Sequence, residues 1–266
     1  MWHQFSYRES TIFYRKEGNG IPVLLLHGFG EDNNIWNKQI DYLSPHCTLI
    51  VPDLPGSGKS TISANASAIE DYADCFAALI IQEKISSSIV LGHSMGGYIT
   101  LALAEKYPHL IKAFGLIHST AFADTAEKKE NRLRGIEIMR QYGAASFLRI
   151  TIPNLFGNAF KQKHPLVIEE QIKNAANFST QACIQYYQAM MTRPDKCLFL
   201  KSNEKPVLFV LGTEDIAAPM QDVEIQIKMS KKAHAYILDG VGHMGMLEQF
   251  DKVNIALLDF ITITQA

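Results

Sequence analysis

The chain has 266 residues, 47% hydrophobic and 20% charged, and its 25 Lys and Arg set against 27 Asp and Glu give a formal net charge of −2. That length and composition suit one large α/β domain or two smaller ones with a full core, and they exclude a fibre or a disordered tail. Charges of both signs are scattered along the chain, so no field gathers nucleic acid or anionic lipid, and the expected partner is a small, largely apolar molecule.

Met1 to Glu9 lacks the basic segment, apolar stretch and small-residue cleavage site of a secretory signal, and no apolar run is long enough to cross a bilayer. Cys47, Cys75, Cys183 and Cys197 lie far apart without metal-ligand spacing, as small buried hydrophobes or surface thiols do. The expectation is a reduced, cytoplasmic protein without integral membrane association. The sequence leaves the oligomeric state open.

Residues 3–16 hold short aromatic and β-branched runs that suit an antiparallel hairpin at a sheet edge, with Gly18-Asn19-Gly20 turning the chain after it. Val23-Leu24-Leu25-Leu26 is an uninterrupted apolar run, as expected of a parallel strand covered on both faces. Trp36 to Leu43 reads as a short helix, Thr48 to Val51 as the next buried strand, and Ala68 to Ile81 as an amphipathic helix. A strand at 88–92, a helix from Tyr98 to Tyr107 and a strand from Ala113 to Ile117 continue the alternation. This order predicts an α/β doubly wound, mostly parallel sheet whose reactive groups sit beyond the carboxyl ends of its strands.

From about Phe122 to Leu200 the alternation stops. Helices are expected over Glu130–Gly143, Ala145–Arg149, Val167–Asn177 and Thr180–Met191, with Pro153, Pro165 and Pro194 as breaks. The segment 122–200 therefore reads as an inserted helical cap, with 1–121 and 201–266 as the core. Pro206 to Leu211 resumes the buried-strand pattern, Met220 to Met229 reads as a helix, Ala235 to Leu238 as the last strand, and Met246 to Thr262 as one closing helix.

Between the strand at 88–92 and its helix lies Gly92-His93-Ser94-Met95-Gly96-Gly97, a Gly-x-Ser-x-Gly turn. Such a nucleophile elbow holds the serine backbone under strain so that the hydroxyl stands clear of the sheet, and a side chain at Gly92 or Gly96 would collide with the neighbouring strand and helix. A serine hydroxyl is a poor nucleophile at neutral pH, so it needs a base and a third group that orients the base. In the order Ser, acid, His, the acid is Asp215 in Gly212-Thr213-Glu214-Asp215, with Glu214 and Asp239 as rivals, and the base is His243 in Gly242-His243-Met244-Gly245. Both follow strands at the same sheet edge as Ser94. A helix-capping role is the competing reading of Asp215.

Gly56-Ser57-Gly58-Lys59-Ser60 ends like a phosphate-binding loop, but Asp53 stands where that pattern requires glycine. Asp53 and Ser60 make better sense as braces of a tight loop.

Taken together, His27-Gly28, Asp53 to Ser60, the serine elbow, the Gly-x-x-Asp-x-x-x-Pro acid loop and the Gly-His loop resemble the α/β-hydrolase family, in particular its cap-bearing serine hydrolases: carboxylesterases, perhydrolases and carbon-carbon hydrolases. The resemblance spans essentially the whole chain. It implies the α/β-hydrolase fold and an oxyanion hole made by the backbone N–H groups of Phe29 and Met95. Ser94 argues against the members with an aspartate nucleophile, and the elbow lacks the Gly-Gly-Ser-Trp-Gly of aminopeptidases. Glu248-Gln249-Phe250 omits a proline that the family often has there.

The residues nearest the expected pocket are His27, Asn33, Asn34, Trp36, His118, Ser119, Phe122, Phe147, Phe156, Phe160, Phe178, Tyr186, Tyr187, Met190, Met191 and Met244. They either line an acyl or alcohol pocket or pack the cap onto the core. His27 is also placed to orient the oxyanion loop. The leading expectation is hydrolysis of a small carboxylic ester through an acyl-enzyme, with no metal or cofactor. Two alternatives stand beside it. One is carbon-carbon hydrolysis or elimination on a carboxylated substrate, with Arg140, Arg149 and Arg193 as candidate cations; the other is a non-catalytic small-molecule receptor.

Overall fold

The computed structural model describes residues 1–62 and 66–265. Strands β1 (Trp2–Tyr7) and β2 (Ser10–Glu17) form the expected antiparallel edge hairpin, in register from Trp2 opposite Arg15 to Tyr7 opposite Ser10. β3 (Pro22–Leu26), β4 (Thr48–Pro52), β5 (Ser88–His93), β6 (Ile111–Ile117), β7 (Val207–Gly212) and β8 (Ala233–Leu238) complete an eight-stranded sheet. Its order is β1-β2-β4-β3-β5-β6-β7-β8, parallel from β4 onward and joined antiparallel to the hairpin through β2.

The unbroken apolar strands follow from burial on both faces. Leu24 and Leu26 of β3 point into one core cluster and Val23 and Leu25 into the other. Helices α1 (Asn37–Leu43), α2 (Ile69–Gln82) and α3 (Met95–Lys106) precede and follow the central strands. α2 and α3 cover the first face through residues such as Phe76 and Leu101, and α1 covers the second through Ile40.

Between β6 and β7 the chain leaves the sheet. It forms α4 (Ala126–Thr151), α5 (Asn158–Lys163), α6 (Pro165–Ala175), α7 (Thr180–Thr192) and α8 (Cys197–Ser202). Within α4, Gly143 adopts φ 81° and ψ 159°, a conformation open to glycine, and bends the helix where the sequence separates two helices. α5 and α8, six residues each, were too short to show a helical period.

After β7 come α9 (Met220–Met229), β8, α10 (Gly245–Glu248) and α11 (Phe250–Ile263). The single closing helix expected over Met246–Thr262 is thus two. Gln249 breaks it at φ −136° and ψ 55°, and the Glu248 carboxylate turns back to accept the N–H groups of Gly157, Gly242 and Met244. Among the described residues no helix is long and apolar enough to cross a membrane.

Candidate active site

Ser94 stands between β5 and α3 at φ 51° and ψ −117°, backbone angles that cost a non-glycine residue strain. Three bonds hold it there. Its N–H donates to Ile117 O at 3.0 Å, and its carbonyl accepts from Gly97 N at 2.9 Å and Ser119 Oγ at 2.7 Å. A Cβ at Gly92 would meet the Gly96 carbonyl, and one at Gly96 would meet the Leu26 and His27 carbonyls of the β3 end, so only glycine lets strand, turn and helix approach this closely.

Asp215 and His243 follow β7 and β8. The His243 Nδ1–H donates to both Asp215 oxygens, at 3.0 and 2.9 Å, which leaves Nε2 as the nitrogen able to take a proton. The Asp215 Oδ1 also accepts from Ala217 N and Ala218 N at 2.9 Å each, so the carboxylate braces its own loop as well as orienting the ring. The rival acids point elsewhere: Glu214 accepts from Asn158 N and Asp239 from Thr213 Oγ1.

A second imidazole shares the acid. His118, fully buried, donates from Nδ1 to Asp215 Oδ2 at 3.1 Å, while its Nε2 has no partner among the described residues. Burial opposes the charge of Asp215, but the field of His243 and the donors of both histidines hold its carboxyl well below the usual carboxylate range. Burial alone would lower His243, yet the Asp215 carboxylate outweighs it and the ring titrates above 6.5. His118 is pushed down by burial despite Asp215 and stays neutral.

The loop after β3 is held from within. Leu54 N donates to His27 Nε2 at 2.9 Å, so Nδ1 carries the hydrogen of that ring and donates to Gly28 O, also at 2.9 Å. Gly28 N in turn donates to Glu31 Oε2 at 2.7 Å. That same oxygen lies 2.9 Å from His93 Nδ1, and His93 Nε2 lies 3.0 Å from the His243 main-chain carbonyl. A carboxylate and a carbonyl only accept, so each ring nitrogen of His93 faces an acceptor, Glu31 on one side and the His243 carbonyl on the other. Burial raises Glu31, but His93 and the Gly28 N–H reverse this and keep the carboxylate ionised. Met95 opens α3, so its N–H has no acceptor within the helix, and Phe29 N is unclaimed among the described residues.

Ser94 and His243 line one cavity of about 400 Å³. Its apolar wall includes Phe29, Phe147, Leu155, Tyr187 and Met190, and Glu31, Lys128, Asn131, Arg132 and Thr151 supply polar groups. A serine hydroxyl and an oriented imidazole thus open into one largely apolar pocket.

An α/β hydrolase fold family model matches residues 21–149. A thermophilic esterase from Thermogutta terrifontis, solved with malate bound, superposes with a TM-score of 0.93 over 100% of both chains at 27% identity. The chain has the α/β-hydrolase fold. It is 28% identical to an (E)-2-((N-methylformamido)methylene)succinate hydrolase of Acinetobacter baylyi, over 96% of this chain and 95% of that protein. The enol-lactonase from Burkholderia xenovorans shares the fold, with a TM-score of 0.90 at 22% identity over 98% of this chain and 100% of that one.

Several residues expected around the pocket of this hydrolase sit elsewhere. His27 and Trp36 are fully buried, His27 between backbone groups and Trp36 with its ring edge-on to His93 at 6.5 Å. Asn33 gives its backbone N–H and its side-chain amide to Asp53 Oδ1, which also fixes the loop that mimics a phosphate-binding turn: Asp53 Oδ2 accepts from Lys59 N, and Ser60 Oγ donates to Asp53 O. His118 lies behind Asp215 instead of bordering the cavity. Phe122 contributes a carbonyl to Arg193 but no wall, Phe156 stacks on Phe160 at 5.6 Å, and Met244 is buried with its N–H on Glu248.

Phe147, Tyr187 and Met190 do line the cavity. Asn34, Phe160 and Phe178 line a separate cavity of about 420 Å³ on the far side of Glu31, and Tyr186 donates to Pro55 O within the core. Of the candidate cations, Arg140 pairs with Glu137 at the surface, Arg149 is exposed and Arg193 is buried on Asp124. The cavity holds Lys128 and Arg132 instead. No spacing pattern in the sequence marked these two, nor Glu31; His93 was visible only as an unassigned position within the elbow.

Proposed function

We propose that this hydrolase cleaves a small carboxylic ester through an acyl-enzyme, beneath a helical cap formed by residues 122–200. One observation carries the reading: His243, held by Asp215 through Nδ1, shares a cavity with a serine on a strained turn. In this mechanism Nε2 of His243 takes the proton of Ser94 Oγ as the oxygen attacks the ester carbonyl. The N–H groups of Phe29 and Met95 receive the developing oxyanion. The imidazolium then protonates the leaving alcohol, and a water, deprotonated by the same ring, releases the acid and restores Ser94. The relatives named for ester and succinate-derivative hydrolysis, at 27% and 28% identity, support a hydrolytic reading.

Incubation with a fluorophosphonate probe and a series of p-nitrophenyl esters of increasing acyl length tests it. The expected outcome is a single adduct at Ser94 by peptide mass, with nitrophenol release in the untreated enzyme that the adduct abolishes. Labelling without turnover of any ester sinks the ester reading, and absence of labelling sinks the proposed nucleophile.

A further inference from the structure

The cap side of the Ser94 cavity carries a charge that the cap itself does not neutralise. Lys128 and Arg132 stand one turn apart on α4 and both line the cavity. The buried Asp124 carboxylate accepts from Arg132 Nε at 2.6 Å and ion-pairs with Arg193 Nη1 at 2.9 Å, so one anion is shared by two guanidinium groups. Among the described residues Lys128 Nζ touches only a neutral acceptor, Ala217 O at 3.2 Å. Glu31, the one carboxylate in the cavity wall among the described residues, is already engaged by His93.

The two arginines on Asp124 are a built-in contrast. Arg193 is a packing arginine: Nη1 donates to Met190 O at 2.7 Å, Nη2 to Phe122 O at 2.9 Å, and its plane covers the Tyr98 ring at 3.8 Å. Arg132 is anchored by Nε and lies 5.0 Å from the Tyr187 ring, with the Tyr187 hydroxyl as a weak neutral neighbour, and among the described residues no anion pairs with its Nη1 or Nη2. A guanidinium fixed at one end and open at the other is prepared for two parallel hydrogen bonds to a planar anion, and the adjacent ammonium adds a third donor.

We propose that Lys128 and Arg132 form a carboxylate-binding subsite in the wall of the Ser94 cavity, so that the preferred ester carries an anionic group on a short hydrocarbon spacer. This rests on the hydrolytic reading above. The apolar surface of Phe147, Tyr187 and Met190 accommodates the spacer, and the anion supplies the charge the wall lacks.

The test compares kcat/KM for the p-nitrophenyl monoester of glutaric acid with that for its neutral near-isostere, p-nitrophenyl 5-methylhexanoate. The anionic ester is expected to be favoured by at least about tenfold, the advantage shrinking as sodium chloride is added. Arg132→Gln should lower the anionic-to-neutral ratio by about 10- to 100-fold, Lys128→Met by less, and Arg132→Lys should retain part of it. The ratio is taken within each variant, so a loss of folded protein cancels. No preference in the parent enzyme, or a ratio unmoved by both neutralising substitutions, overturns the subsite. If neither ester is cleaved, the hydrolytic reading fails separately, and calorimetric titration with glutarate decides: binding that Arg132→Gln weakens sustains the subsite, and no binding overturns it.

Discussion

The sheet side and the helical side of the Ser94 cavity handle charge in opposite ways. On the sheet side each ionised group meets partners that belong to the fold: Glu31 faces His93, and Asp215 takes donors from two histidines and two backbone amides. On the helical side Asp124 is outnumbered, and the donors of Arg132 and Lys128 remain open toward the cavity. In the proposed mechanism the first wall is complete without a substrate, as an apparatus for moving a proton must be, and in the proposed subsite the second is completed by one. The two proposals thereby assign reaction chemistry and substrate choice to different parts of the chain.

Substitutions can break this contrast, beginning where the expected effect is largest. Ser94→Ala should reduce ester turnover by more than about 10⁴-fold, and Asp215→Asn by about 10⁴-fold, since the amide supports the wrong His243 tautomer. Nitrophenol release at wild-type rates in either would remove that residue from the proposed mechanism. Glu31→Gln leaves the buried His93 ring and Gly28 N–H without their carboxylate acceptor, a loss of about 1–3 kcal/mol that should lower the melting temperature by roughly 2–12 °C. A calorimetric scan matching the parent protein would contradict that role of Glu31.

Smaller effects sharpen the account of the base. The proposed acylation requires neutral His243, so kcat/KM should fall as pH drops through the midpoint of that ring, and because Asp215 raises the midpoint the fall should begin above pH 6.5. An acid limb below pH 6.5 would refute the assignment. His118→Phe removes one donor from Asp215, which strengthens the hold of that carboxylate on protonated His243. The acid limb should then move up by less than about one pH unit, with kcat reduced by less than about tenfold. A limb that stays in place would show that His118 serves packing alone.

How much of this was legible in the sequence varied with the range of the interaction. The buried strands announce themselves because both faces of β3, β5 and β7 need apolar side chains, and the position of Ser94 follows from glycines whose neighbours leave no room for a Cβ. Asp215 and His243 come after consecutive strands of one parallel sheet, so their shared edge can be read from order alone. The partners of Glu31, His93 and His118 lie 62, 150 and 97 residues away, across strands whose pairing a single sequence does not encode at that resolution.

The helical wall was harder still. Arg132 and Arg193 look alike in sequence, and their difference lies in which carbonyls end up near each guanidinium once α4 and α7 pack. Phe156 and Met244 have the composition of pocket residues yet are buried in the core, and half-buried Phe122 contributes only its carbonyl, to Arg193. The closing helix breaks at Gln249 without a proline, because the Glu248 side chain is drawn back by amides whose nearness only the fold creates.

That Glu248 clasp fixes how this enzyme can be recombined. Its carboxylate joins Gly157 of the insertion to Gly242 and Met244 around His243, and His243 N donates to Leu155 O at 2.6 Å, with no room for a Cβ at Gly157 or Gly242. The helical segment is therefore stitched to the loop of the base at its middle as well as by its two ends. A chimera that exchanges the helical segment between relatives at its sequence junctions alone would transplant a new ceiling and disturb the His243 loop beneath it. A workable graft must carry the Leu155–Gly157 edge and the Gly242–Glu248 loop as one block.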